Sequence, residues 1–428
     1  MSQPTSHDSR AGRQERTGAG EHQGAAMRNG WQKKPLADLC EVFADGDWIE
    51  SKDQSPEGIR LIQTGNVGEG IFKDRCEKAR YISEATFKRL RCTEIFEGDC
   101  LISRLPDPVG RSSILPNTYE RMITAVDCTI VRFNPEEFLP EFFNYFSQSL
   151  DYLKAVEAET TGTTRKRISR SKLGQVTIPV PPLAEQQRIV AILDEAFEAI
   201  ATAKANAEKN LRNARALFES HLESVFTRRG EGWVETTIGQ HIQFIDYRGK
   251  TPEKTESGLR LITAKNVKMG YLQDTPMEFV EPTSYDGWMT RGIPEMGDVL
   301  FTTEAPLANV AQLDTDEKVV FAQRIIIMQP DASKLDSTFL KYLLLSQPVQ
   351  RRIHAKGTGA TVKGIKASLL RTVEITFPEL VSDQRLVVAK LDDLRDESQR
   401  LESLYQRKLA ALNALKKSLL DRAFSGQL

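Results

Sequence analysis

Cysteine is scarce in this chain and confined to one region. All five residues (Cys40, Cys76, Cys92, Cys100, Cys128) fall in the first third of 428 residues, with no Cys-x-x-Cys pair among them. An odd count without paired spacing argues against a disulfide framework or a zinc site. It favours free thiols in a reducing cytosol, so a cytoplasmic location is expected. The five histidines (His7, His22, His221, His241, His354) have no metal-ligand spacing either. No apolar run approaches the ~20 residues that span a bilayer, and no signal-peptide apolar segment opens the chain, so no membrane partner is expected. An excess of one charge is also missing. Lys and Arg number 58 against 59 Asp and Glu, so any nucleic-acid site has to be a local patch.

Catalytic signatures are missing too. Gly249-Lys250-Thr251 imitates the end of a phosphate-binding loop, but Phe244 stands where its first glycine belongs. Pro181-Pro182 follows Val180 rather than the Asn, Asp or Ser of an amino-methyltransferase motif. No Gly-x-Ser-x-Gly or Cys/His arrangement occurs. Neither an enzymatic centre nor a cofactor of its own is expected in this chain.

Two long stretches, residues 184–226 and 382–424, lack glycine and proline altogether. In the first, Ile189, Leu193, Ala196, Ile200, Ala203, Ala207, Ala214 and Leu217 recur mostly on 3-4 spacing, with Asn210 as the polar interruption. In the second, Val387, Leu391, Leu394, Ser398, Leu401, Tyr405, Lys408, Leu412, Leu415 and Leu419 alternate in steps of 4 and 3, the heptad of a coiled coil. Each would form a helix about 60 Å long at ~1.5 Å per residue. Alanine-rich against leucine-rich, they read as partners.

The chain also repeats itself. Gly30-Trp31 recurs as Gly232-Trp233, and Ile59-Arg60-Leu61-Ile62 with Asn66-Val67 recurs as Leu259-Arg260-Leu261-Ile262 with Asn266-Val267. Gly98-Asp99 matches Gly297-Asp298, Gly162-x-Thr164 matches Gly359-x-Thr361, and Gln187-Arg188 matches Gln384-Arg385. Short β-rich runs between turn residues, with a helix around 136–153 and another around 337–353, predict an α+β domain, mostly antiparallel, present twice. The surface loops diverge: Asp45-Gly46-Asp47-Trp48 becomes Tyr247-Arg248-Gly249-Lys250, and Arg104-Leu105-Pro106-Asp107 becomes Glu304-Ala305-Pro306-Leu307.

The strongest local signal is basic. Thr164, Arg165, Lys166, Arg167, Arg170 and Lys172 lie in a stretch without an acid between Thr160 and Leu183. The second copy is thinner, with Thr361, Lys363 and Lys366 in an acid-free stretch from Arg351 to Val373. Cations and hydroxyls suit phosphate oxygens, and these residues are the candidate DNA contacts. Tyr247, Arg248 and Lys250 are weaker candidates, an aromatic and two cations able to stack or read base edges. A solvated face remains the bland account of each basic run, and a plain turn that of the Tyr247 loop.

Two such domains alternate with two long helices, each entered through a Pro-Leu-x-x-Gln-Arg-Ile-like junction: Pro182-Leu183 to Gln187-Arg188-Ile189, and Glu379-Leu380 to Gln384-Arg385-Leu386. Over residues 28–428 this resembles the specificity subunit of type I restriction-modification systems, as does the terminal Leu-Leu-Asp-Arg-Ala-Phe-Ser-Gly. The resemblance implies a non-catalytic, antiviral-defence subunit whose two target-recognition domains each bind half of a split double-stranded DNA site. It implies helices that set the spacer and dock methyltransferase subunits, which bring S-adenosylmethionine. It also implies restriction/translocase subunits using ATP and Mg²⁺. The expected organisation is a disordered tail over 1–26, recognition domains over 27–183 and 227–380, and spacer helices over 184–226 and 381–428. Two alternatives stay open: a coiled-coil scaffold binding other proteins, and a DNA-modifying enzyme with an unrecognised site.

Connectivity predicts the direction of helix pairing. Residues 227–233 span at most ~25 Å, too little to return along a 60 Å helix. The helices should therefore run antiparallel, with Ala203 and Ala207 near Leu401 and Tyr405 and the repeats related by a pseudo-two-fold axis.

Overall fold

The computed structural model describes residues 30–228, 230–247, 251–322, 324–359 and 362–428, so the tail over 1–26 lies outside the described residues. The chain divides into two compact units, residues 1–204 with 410–428, and residues 205–409. The long helices run over Leu183–Thr227 and Val381–Phe424, and each contributes a part to either unit. No helix among the described residues is long and apolar enough to cross a membrane.

In the first unit the central sheet takes the order Cys40–Asp45, Cys128–Phe133, Cys100–Ser103, Ser112–Ile114, all antiparallel. In the second unit the same order is built from Ile242–Asp246, Ile325–Pro330, Val299–Thr303 and Leu307–Gln312. Apolar residues dominate these strands, and Cys100–Ser103 and Val299–Thr303 are buried on both faces. That second sheet has five strands in one unit and three in the other. Each contains one parallel pair, Ile59–Ile62 with Met122–Thr124 and Leu259–Ile262 with Val320–Phe321. An antiparallel ribbon joins the two ends of each domain: Gln32–Pro35 with Thr177–Val180, and Trp233–Thr237 with Glu374–Pro378. The fold is α+β and mostly antiparallel, as the sequence predicts.

The predicted domain helices each come as two. Pro140–Phe146 is followed by Leu150–Ala158, because Ser149 leaves the helical conformation and caps the second with its hydroxyl on the Tyr152 amide, 3.3 Å. Ser337–Leu345 gives way to Gln347–Lys356, where Pro348 sits in the first turn and its missing N–H costs nothing.

Helix pairing is antiparallel within each unit. In the first, Arg188 donates to the Leu428 carbonyl (2.8 Å) and Lys204 to Asn413 Oδ1 (2.8 Å). In the second, Arg215 bonds Glu402 at 2.9 Å, and Leu222 and Phe226 share a core with Leu391. This register sets Leu401 and Tyr405 level with Ala214 rather than the expected Ala203 and Ala207. Beyond Ala214 the buried stripe follows Phe218, Leu222 and Phe226, while Leu217 is exposed, since a 3.6-residue helix drifts off a strict heptad.

The junction glutamine is a buried lock. Gln186 accepts from the Leu139 amide (2.9 Å) and donates to the Glu137 and Pro181 carbonyls (3.1 and 2.9 Å). Gln384 accepts from the Asp336 amide and donates to the Lys334 and Pro378 carbonyls, each at 2.8 Å. The counterpart of Gln384 is thus Gln186, one residue before the Gln187 that the repeat suggests. Every polar atom of the amide is satisfied, which is why a fully buried glutamine is tolerated at the joint.

Candidate nucleic-acid interface

The basic run of the first unit forms a short closed loop. Thr161 and Arg167 exchange backbone hydrogen bonds at 2.9 Å, and Gly162 turns the chain at φ +95°. A side chain there would meet the Arg165 carbonyl at 2.5 Å. The loop presents Thr164, Arg165 and Lys166 to solvent, and Arg167, Arg170 and Lys172 are exposed beside it. Folding brings acids that the local sequence lacks. Lys166 pairs with Glu157 (2.7 Å), Arg167 with Asp127 (2.9 Å) and Lys172 with Glu159 (3.1 Å). Among the described residues Arg165 and Arg170 have no ion-pair partner, so they offer the least encumbered charge. The three pairs are exposed and weak, and a phosphate can compete with them.

Two buried arginines fix the backbone next to this loop. Arg104 donates to the Val126 carbonyl at 2.6 Å, and its own carbonyl accepts from the Ile168 amide at 3.3 Å. Arg111 donates to the carbonyls of Val67 (2.7 Å), Leu105 (2.7 Å), Pro108 (3.0 Å) and Thr64 (2.9 Å). Burial lowers the pKa of both guanidiniums from the ordinary arginine value. Through Arg111 the 105–108 loop is tied to the turn at Thr64, which borders a polar cleft of about 600 Å³.

Arg75, Lys78 and Arg80 line that cleft and have no ion-pair partner among the described residues. Gly65 lets Arg75 approach; a Cβ there would lie 2.2 Å from its Nη1. Asn66 fixes the turn, accepting from the Gln63 amide (3.0 Å) and donating to the Lys73 carbonyl (2.9 Å). Sequence reasoning missed these cations because Asp74 and Glu77 are interspersed with them. The available signal was the repeat itself: residues 273–280, the matching stretch, contain no cation.

The second unit repeats the loop with fewer cations. Thr358 and Gly364 exchange backbone bonds at 2.8 and 2.9 Å, Gly359 turns at φ +115°, and Ile365 N–H donates to the Thr303 carbonyl at 2.9 Å. Lys363 and Lys366 are exposed, without an ion-pair partner among the described residues. Thr361, Arg248 and Lys250 lie outside the described residues. Tyr247 requires a correction. It is 3% exposed within a core cluster, its hydroxyl donating to the Gly292 carbonyl (2.6 Å) and accepting from the Arg291 amide (3.1 Å). A ring committed to the core is not available to bases. The strand pairing also shifts the loop match by one residue, so that Gly46 is the counterpart of Tyr247.

No group of three or more His, Cys, Asp or Glu side chains among the described residues is placed to hold a metal. Burial pushes the thiols of Cys40 and Cys100 up to about 12 and those of Cys92 and Cys128 up to about 11, away from nucleophilic reactivity.

Comparison with known proteins agrees with the duplicated architecture. Residues 28–211 match the family described as type I restriction modification DNA specificity domain. The chain is 21% identical over 421 residues to the proposed MjaX type I restriction enzyme specificity subunit of Methanocaldococcus jannaschii, covering 93% of each. It is 22% identical over 303 residues to the type I restriction enzyme EcoBI specificity subunit of Escherichia coli, covering 65% of this chain and 64% of that protein. In fold it is similar to a chain from a solved structure concerned with complex assembly and conformational transition of the type I R-M system. The TM-score is 0.75 at 19% identity, covering 94% of this chain and all of that one. Residues 28–211 thus match the type I restriction modification DNA specificity domain, and the chain as a whole is similar to specificity subunits of type I restriction-modification systems.

Proposed function

We propose that this chain recognises a bipartite DNA sequence, with residues 27–183 and 227–380 as target-recognition domains that each read one half-site. The observation that carries this reading is the glycine-turned basic loop, closed by the same backbone bonds at the same place in both domains. Its cations position the phosphate backbone, and the diverged loops around it supply base contacts. The long helices set the distance between half-sites and dock methyltransferase subunits, which bring S-adenosylmethionine. Restriction/translocase subunits add ATP- and Mg²⁺-dependent chemistry in a cytoplasmic complex. This chain acts as the specificity subunit and leaves catalysis to its partners.

The test is modular exchange. Moving residues 234–380 into a homologous specificity subunit should transplant one half-site and leave the other unchanged, read by mapping methylated sites across a genome. Retention of the host's full specificity overturns the modular reading.

A further inference from the structure

Within the second unit, the helix Ser337–Leu345 and both long helices enclose a pocket of about 440 Å³. Lys341 lines it, 5% exposed, with no hydrogen-bond or ion-pair partner among the described residues. Its ammonium has only the face of the Tyr342 ring, 4.4 Å away. Ser398 lines the same pocket at 2% exposure, and its hydroxyl has no hydrogen-bond partner. The neighbouring carboxylates are engaged elsewhere: Glu402 by Arg215 (2.9 Å), Glu223 by Arg351 (3.3 Å), Asp392 by Arg395 (3.0 Å) and Tyr342, and Asp336 by the Thr338 and Phe339 amides (both 3.0 Å). Glu219, the remaining lining acid, is exposed. Phe218, Leu222 and Leu345 give the pocket apolar walls.

A buried ammonium without a counterion costs several kcal/mol, and a buried hydroxyl without a partner adds to it. The scaffold does not require either group, as the first unit shows. There Asn144 holds the place of Lys341 and is satisfied, donating to the Gly70 carbonyl (2.9 Å) and accepting from Ser112 (3.1 Å). Ile200 holds the place of Ser398. Lys416 holds the place of Phe218, bonding Gln148 at 3.0 Å and lying 4.8 Å from the Phe197 ring. At these three positions the first unit leaves no polar group unmatched, whereas among the described residues the second unit keeps two unmatched donors lining one cavity.

We propose that this pocket binds a carboxylate carried on an apolar body, the Lys341 ammonium and Ser398 hydroxyl taking its oxygens and Phe218, Leu222 and Leu345 packing its hydrocarbon. One unpaired ammonium and one hydroxyl match a monoanion; the other lining cations, Arg215 and Arg395, are already held by Glu402, Asp392 and Asp396 and leave no second charge for a phosphate dianion. The carboxylate comes from a free organic acid or from an acidic side chain of a bound protein.

The experiment titrates 3-phenylpropionate into the full chain by calorimetry. Wild type should show saturable binding in the millimolar range or tighter. Lys341→Met and Ser398→Ala should weaken it about tenfold or more, a change of about 1.4 kcal/mol or more, and Lys416→Met should not. The uncharged 3-phenylpropionamide should bind at least about tenfold more weakly than the acid. Lys341→Met should keep or raise the melting temperature, because it removes an unmatched buried charge. Equal affinity of wild type and Lys341→Met, no saturable binding, or a melting temperature that falls in Lys341→Met overturns the proposal. Repeating the titration with the methyltransferase subunit bound separates the sources. Loss of probe binding assigns the site to a protein carboxylate, and unchanged binding assigns it to a free acid.

Discussion

In the first unit Arg111 does what a much shorter side chain, Asn309, does in the second. Both donate to the carbonyl of the valine that follows the repeated asparagine, Arg111 to Val67 at 2.7 Å and Asn309 to Val267 at 2.9 Å. Only the arginine reaches on to Leu105, Pro108 and Thr64. A second contrast lies at the end of the first strand of the central sheet. A Cβ on Gly46 would come within 2.4 Å of the Thr124 and Ala125 carbonyls, whereas its counterpart Tyr247 fills a core with its ring. A third is electrostatic: Asp127 faces Arg167 in one unit, and Arg324 pairs with Glu304 at 3.0 Å in the other. Duplication has kept the bonds that fix the framework turn and changed those that shape the surrounding loops. That division is what two readers of different half-sites need.

The largest effect expected from this contrast is on stability. Arg111→Ala strands four carbonyls and opens a cavity, and should cost about 3–5 kcal/mol in urea unfolding of the full chain. Asn309→Ala loses one carbonyl bond and should cost about 1–2 kcal/mol. Equal costs would mean that the two side chains do the same job, and the contrast between the units would fail.

A smaller effect separates free from paired cations within the first unit. Replacing Arg165 and Arg170 with Ala should reduce the slope of log affinity against log salt by about 1.8, at ~0.9 per phosphate contact, and weaken all sequences alike. The same change at Lys166 and Arg167 should move the slope distinctly less, because Glu157 and Asp127 already share their charge. Filter binding across a salt series on the assembled complex reads both. A changed sequence preference in the Arg165/Arg170 variant would make these residues base readers.

The smallest effect concerns the second unit's core. Tyr247→Phe removes the hydroxyl held by Gly292 and Arg291 and should cost about 1 kcal/mol in thermal unfolding, with DNA sequence preference intact. A shifted half-site in that variant would return Tyr247 to the interface.

The long helices, the duplication and the mostly antiparallel α+β class were legible because each rests on periodicity or on self-comparison. The glycine-turned loops were legible for a related reason: Gly162 and Gly359 adopt a backbone conformation that other residues resist, so their spacing is preserved. The charge state of the basic run was not legible. Glu157 and Glu159 lie just upstream of the acid-free stretch, and Asp127 is brought to Arg167 by the strand Cys128–Phe133. The cleft around Arg75, Lys78 and Arg80 stayed hidden for the same reason, since concavity is not a property of adjacent residues.

By itself, then, the sequence determined the two long helices, that the unit occurs twice, and where the glycine-turned loops lie. These are local properties, set by side-chain period and backbone sterics. Only the tertiary structure decided which cations stay free, that Tyr247 is core, that Gln186 rather than Gln187 locks the helix junction, and that Lys341 and Ser398 share one pocket. Burial and ion pairing depend on distances across the fold, and a side chain's chemistry is settled by those neighbours.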